Sequence, residues 1–250
     1  MWGFAFTAAS ILVTSFLSGI FGMLGGLILM GLLLMILPVS SAMALHAVTQ
    51  MASNGWRAFL WRNYIMSGLL QGYLIGALLV FGVFSLTTFA LPKTWVFFFL
   101  GLVPFIALAV PIKWAPNIQK KGSPFFLGII VMALQLLSGV SGAVLDIFFV
   151  RSTLDRRQIV ASKAMTQTLS HFLKLGYFTL IVPKPADVAG LPLPAYIGAI
   201  ALAMTGTFLS RRVLEKLTDH SFQQWSRVFA LAIGALYLIQ ALQGIQNNSY

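Results

Sequence analysis

Ser18-Gly19-Ile20-Phe21-Gly22 and Ser138-Gly139-Val140-Ser141-Gly142, at an offset of 120, are the two runs that decide how this chain is built. Each falls inside a long apolar stretch, Phe4 to Leu37 in the first case and Phe125 to Val150 in the second. Glycine within a helical pattern marks a break, and Gly19, Gly22, Gly25 and Gly26 interrupt one stretch as Gly139 and Gly142 interrupt the other. A second element follows each break: Ala44-Leu45-His46-Ala47-Val48-Thr49-Gln50 returns as Ala161-Ser162-Lys163-Ala164-Met165-Thr166-Gln167, at an offset of 117. Two matches in the same order at nearly equal offsets read as an internal duplication. The expected units are residues 1–120 and 121–250, together one transmembrane domain.

Composition sets the solvent. Of 250 residues 59% are hydrophobic and only 8% charged, whereas a soluble domain carries about 25% charged residues. Ordinary water-soluble globules are excluded. The formal charge of +11 comes from cations scattered between apolar runs, so a nucleic-acid surface is not expected. Cysteine is absent, which removes disulfides, thiolate nucleophiles and Cys-ligated metals. Apolar residues follow one another without period two, so the backbone must be satisfied by helices rather than by a barrel. Met1 to Phe21 lacks a basic leading region and reads as a retained apolar segment.

By the length needed to cross a bilayer, ordinary spans are Tyr64 to Phe84, Thr94 to Ile112, Ala195 to Leu209 and Val228 to Leu242. Ser40 to Leu60 and Arg157 to Val182 are long enough but carry polar residues inside. Loop charge tests the arrangement, because cytoplasmic loops are enriched in Lys and Arg. If both broken stretches cross fully, alternate loops share the cations evenly. If each is a re-entrant hairpin, eleven cations fall on one side (Arg62, Lys113, Lys120, Lys121, Arg151, Arg156, Arg157, Arg211, Arg212, Lys216 and Arg227) and only Lys93 and Lys184 on the other. The expected fold is therefore an all-α membrane protein of two inverted repeats, each a re-entrant hairpin plus three crossings, as in secondary transporters. The hairpin tips must meet at a protein-lined cavity.

Helical spacing brings residues three and four apart onto one face. His46, Gln50, Ser53 and Arg57 form such a stripe, and Lys163, Gln167, Ser170 and Lys174 form its counterpart. A charge at a helix centre costs at least about 2.5 kcal/mol in lipid, so both stripes are expected to face inward. Asp146 is the one carboxylate expected at membrane depth, leaving cations in excess and the site suited to an anion. The candidate substrate residues are those eight together with Thr49 and Thr166. Asp146 and His171 are candidates for proton coupling, and no metal or cofactor is called for. Trp56, Trp61 and Trp95 read as interfacial anchors.

Gly139-Val140-Ser141-Gly142 also has the Gly-x-Ser-Gly form of rhomboid-type intramembrane serine proteases, with His171 as base. Phe21 at the matching position of the first half argues against catalysis, and an enzyme is not expected. The class alternative to a carrier is an anion channel with the same lining.

The two glycine breaks, each followed by Ala-x-x-Ala-x-Thr-Gln, resemble the sulfite exporter TauE/SafE family, also called the toluene sulfonate uptake permease family. The likeness runs over nearly the whole chain, with Ala161-Ser162-Lys163-Ala164 matching the family's second-half Ala-x-Lys-Ala element. The chain departs in Phe21-Gly22-Met23-Leu24-Gly25-Gly26, where the family has a longer glycine run, and in Asp146. The resemblance implies a multi-pass permease of the cytoplasmic membrane that moves sulfite, a sulfonate or a related organic anion without a cofactor. The expected partners are the lipid bilayer and that small anion, and homo-oligomerisation is left open.

Overall fold

The computed structural model describes residues 2–21, 23–183, 191–214 and 219–247. Among these there are ten α-helices and no strand. In chain order they are α1 (Trp2–Phe21), α2 (Met23–Ile36), α3 (Val39–Leu60), α4 (Ser67–Thr87), α5 (Lys93–Ala109), α6 (Ser123–Leu137), α7 (Gly142–Phe149), α8 (Arg156–Gly176), α9 (Leu193–Leu214) and α10 (Asp219–Gln246). Four contain segments long and apolar enough to cross a membrane: Phe4–Phe21, Ser67–Thr87, Leu193–Ser210 and Trp225–Gln246. Their outer faces fit that environment. Ile75, Leu79 and Val83 on α4, Ile197 and Phe208 on α9, and Leu236, Ile239 and Leu242 on α10 are all exposed, a belt of bare apolar surface that water would penalise.

Local sequence explains most helix limits. Pro38 and Pro92 precede α3 and α5, and Pro124 stands in the first turn of α6, where a missing N–H is harmless. Asp155 caps α8: its carboxylate accepts from the backbone N–H groups of Arg157 at 2.7 Å and Gln158 at 3.0 Å, and the Gln158 side chain accepts from Asp155 N–H. This is a capping box. The expected glycine break of the second half falls at Gly139, whose φ of +81° is a left-handed backbone that side chains with a Cβ disfavour. Past α8 the helix widens into one π turn, Tyr177–Ile181.

Small residues set the helix pairings. A Cβ on Gly19 would sit 1.9 Å from Ser210 Oγ, and one on Gly206 2.5 Å from Leu12 O, so α1 and α9 pack closely and run parallel. Gly72 meets Pro124, and Gly76 and Gly128 meet Phe125 and Tyr73, so α4 and α6 are likewise close and parallel. Gly101 and Gly234 lie back to back, and Gly244 meets Thr94, which makes α5 and α10 antiparallel. The stripe helices α3 and α8 also cross antiparallel: Lys174 reaches His46, and Met66 N–H beyond the end of α3 donates to Ser162 Oγ at 3.2 Å.

The two arms of the second glycine-broken stretch begin and end together. Ile118 N–H, before α6, donates to Phe148 O at the end of α7, 3.0 Å away. Asn117 Nδ2 donates to Arg151 O, Arg151 donates to Lys113 O and Ala115 O, and Thr153 N–H donates to Gln119 Oε1 at 2.9 Å. In the first half α2 folds back on α1, with Gly25 against Thr14 and Ser18. Gly22 lies outside the described residues, as do Lys184, Asp187, Glu215 and Lys216.

One end of the bundle gathers the basic loops. Arg157 donates to Tyr64 Oη at 2.8 Å and lies over the Trp61 ring, joining the start of α8 to the loop after α3. A groove lined by Ile65, Met66, Gln119, Lys120 and Lys121 places the loop before α6 beside them. At the opposite end, Tyr177 Oη donates to Phe89 O at 2.6 Å in the loop between α4 and α5.

Candidate substrate cavity

A cavity of about 200 Å³ lies where the two bent stretches meet the two polar helices. Ser18, Phe21 and Gly26 line it from the first bend, and Val140, Ser141, Gly142, Leu145 and Asp146 from the second. His46, Gln50, Asn54 and Arg57 line it from α3, and Lys163, Gln167 and His171 from α8. Ser141 and Gly142 are the start of α7, whose first-turn N–H groups have no partners within the helix, and the dipole there favours negative charge.

The helical stripes are only partly turned into this space. His46, Gln50 and Arg57 reach it from α3, and Lys163 and Gln167 from α8. Thr49 and Thr166 are buried and spend their hydroxyls on their own helices, donating to His46 O at 2.8 Å and Lys163 O at 2.9 Å. Ser53 accepts from Thr207 Oγ1 of α9 at 3.0 Å, and Ser170 donates to Gln167 O. Lys174 is fully buried behind the wall, with Nζ 2.8 Å from His46 Nδ1 and 2.9 Å from Gly139 O. None of these five borders the cavity. Of the glycines, Gly26 and Gly142 border it, whereas Gly19 packs on α9, Gly25 on α1, and Gly139 on Met30 and Met43.

Asp146 and Lys163 form an ion pair across the cavity, α7 to α8. The sequence expectation of three cations facing one acid is refined accordingly: Lys163 is neutralised, Lys174 stands behind the wall, and Arg57 is the cavity cation with no ion pair among the described residues. A guanidinium in that position can grip a planar or tetrahedral oxyanion with two hydrogen bonds.

Sequence reasoning missed Gln135. It is fully buried on α6, and its amide nitrogen lies within 3.2 to 3.4 Å of Ser141 Oγ, Gln167 Oε1, Ser170 Oγ and His171 Nε2. It thereby ties the first arm of the second bend to α7 and α8. A glutamine inside Leu-rich sequence is the one signal that could have found it, since an amide at that depth must find partners. Ser141 Oγ accepts from the amides of Gln135 and Gln167, and the structure records no bond between Ser141 and His171, the pair a protease would need.

Two further grooves adjoin the cavity. One shares Arg57 and is bordered by Trp56, Trp61, Arg156 and Arg157. The other shares Asp146 and is bordered by Pro111, Ile112, Ala115 and Val150. Both lie towards the basic loops. Lys174, eleven residues further along α8 than Lys163, is deeper by about 16 Å.

No family model matches the chain, and no curated protein or solved structure matches it either.

Proposed function

We propose that the chain is a secondary transporter that carries a small oxyanion across the cytoplasmic membrane by alternating access, built as two inverted repeats with re-entrant hairpins. The observation that carries this reading is the cavity between the two glycine bends, with a guanidinium that has no ion pair among the described residues, two glutamine amides and a helix N-terminus around one space. Such a site offers an anion both charge and directional donors in place of its hydration shell.

The helix pairings support the repeat. Exchanging the halves turns the parallel α1–α9 contact into the parallel α6–α4 contact. It returns α3–α8 and α5–α10 to themselves, and each helix of those two pairs runs antiparallel to its own counterpart. That is the relation expected of inverted repeats about an axis in the membrane plane. The hydrogen bonds joining residues 113–119 to residues 148–153 support a hairpin that returns to its own side. With the basic end taken as cytoplasmic, the adjoining grooves make this an inward-facing state.

The resemblance to the TauE/SafE permeases rests on the residues quoted above. It gives the substrate class as sulfite, a sulfonate or a related organic anion. The reading is tested by anion binding to purified protein across a panel of sulfite, sulfate, methanesulfonate and acetate. Arg57→Gln removes a charged hydrogen bond worth about 1.5 to 3 kcal/mol, so affinity should fall by one to two orders of magnitude. Lys93→Gln, away from the cavity, should leave it unchanged. Equal losses in the two variants would overturn the assignment.

A further inference from the structure

Lys174 is the one lysine, arginine, aspartate or glutamate among the described residues that is fully buried. Among the described residues no carboxylate pairs with it, and Asp146, the acid of the cavity, is paired with Lys163. Instead Nζ sits between His46 Nδ1 at 2.8 Å and Gly139 O at 2.9 Å, while His46 Nε2 lies 2.9 Å from Gly26 O. A carbonyl can only accept, so Nε2 carries hydrogen, and the neutral ring presents its Nδ1 lone pair to the amine. The row from Gly26 through His46 and Lys174 to Gly139 thus has room for one ionising proton. It resides on the amine, or moves to the ring to give imidazolium beside a neutral amine. Total charge is the same in both forms.

We propose that the His46–Lys174 bridge is the proton-binding site that couples anion movement to H⁺, a proposal that rests on the transport reading above. His46 is itself part of the cavity wall, so a proton on the bridge faces the bound anion through one ring. Without that anion a lone charge at this depth is costly, and with it the charge is compensated. Proton and anion therefore favour each other's binding, by reciprocity. The bridge also joins α2, α3, the second bend and α8, the elements that must separate when the cavity changes sides. The nearest titratable group is His171, with ring centroid 5.4 Å from that of His46; Arg57 on α3, Asp146 on α7 and Lys163 on α8 line the same cavity as His46, and Tyr73 on α4 and Tyr177 after α8 are buried. Helices α1, α2 and α6 contribute none. The ion pair makes Asp146 a weaker candidate for the coupling proton than this bridge.

The test uses the full chain in proteoliposomes, with labelled methanesulfonate, a strong-acid anion that carries no proton of its own, and a pH dye inside. Wild type should acidify the lumen in a fixed ratio to methanesulfonate taken up. Lys174→Arg keeps the cation but cannot release its proton. It should retain exchange of labelled for unlabelled methanesulfonate while losing proton-driven net uptake by more than about tenfold. His46→Gln, which cannot accept the proton, is read only by the proton-to-anion ratio of the uptake that remains, which should fall by more than about tenfold, and serves where the arginine variant does not fold. An unchanged proton-to-anion ratio in both variants overturns the proposal and leaves the transport reading standing. Absence of any exchange by wild type defeats the transport reading for this probe. The proton site is then decided by ¹⁵N NMR of lysine- and histidine-labelled protein, where Lys174 and His46 must titrate together and independent titration refutes the bridge.

Discussion

Replacing Gly139 by alanine tests the second bend where sequence, backbone and cavity meet. Two costs can be read from the structure. The φ of +81° carries a left-handed penalty of roughly 1 to 2 kcal/mol for a residue with a Cβ. The new Cβ would also lie 2.7 Å from Met30 Sδ and 2.9 Å from Met43 Sδ. Methionine is adaptable, so this overpacking belongs at the lower end of its range, about 1 kcal/mol. The expected loss is about 2 to 3 kcal/mol, measured by reversible unfolding in mixed micelles. Gly198→Ala is the control: it meets nothing within 4 Å and lies inside α9, where alanine should be neutral or better by up to about 1 kcal/mol. Adding Met43→Ala to Gly139→Ala should relieve part of the crowding and none of the backbone term. Equal stability of Gly139→Ala and Gly198→Ala would refute the bend as described.

Three other outcomes follow from the same geometry. Gly101→Ala brings a Cβ to 2.7 Å from the backbone oxygen of Gly234, which cannot turn aside, so α5 and α10 must part and stability should fall by about 1 to 3 kcal/mol in thermal unfolding. The chain has no cysteine, so Gln119→Cys and Thr153→Cys can be labelled singly with an impermeant thiol reagent; both should react from the same face of sealed vesicles, and opposite faces would break the hairpin. Asp146→Asn frees Lys163 from its ion pair and should tighten anion binding about fivefold, roughly 1 kcal/mol of electrostatic gain near a partly solvated site, as read by calorimetry.

The positions of the helices were legible in the sequence because lipid imposes length and composition together. The polar helix expected at Ser40 to Leu60 is Val39–Leu60, and the short span placed at Ala195 to Leu209 begins at Leu193. The glycine break at Gly139 was legible because left-handed backbone leaves few alternatives. The site was legible only in part. Spacing of three and four fixes which residues share a helix face, but the rotation of that face and its depth are set by neighbours. Lys174 and Gln50 belong to matching stripes, yet one is sealed behind the wall and the other borders the cavity. Thr49 and Thr166 were drawn into their own helices by backbone bonding, the usual competitor for a hydroxyl. The Asp146–Lys163 pair joins residues seventeen positions apart on two helices, and the Gln135 hub joins three helices. Neither could be read before the bends were closed. The π turn after Gly176 had no counterpart in the hydrophobic pattern, which runs through it unchanged.

The most direct test of the account is counterflow by the purified chain in proteoliposomes loaded with unlabelled methanesulfonate and challenged with the labelled anion. A carrier with this cavity should give transient, saturable accumulation above equilibrium, lost with Arg57→Gln and kept with Lys93→Gln. Uptake that rises linearly with concentration and never overshoots, or an overshoot indifferent to Arg57, would contradict an anion carried between the two bends.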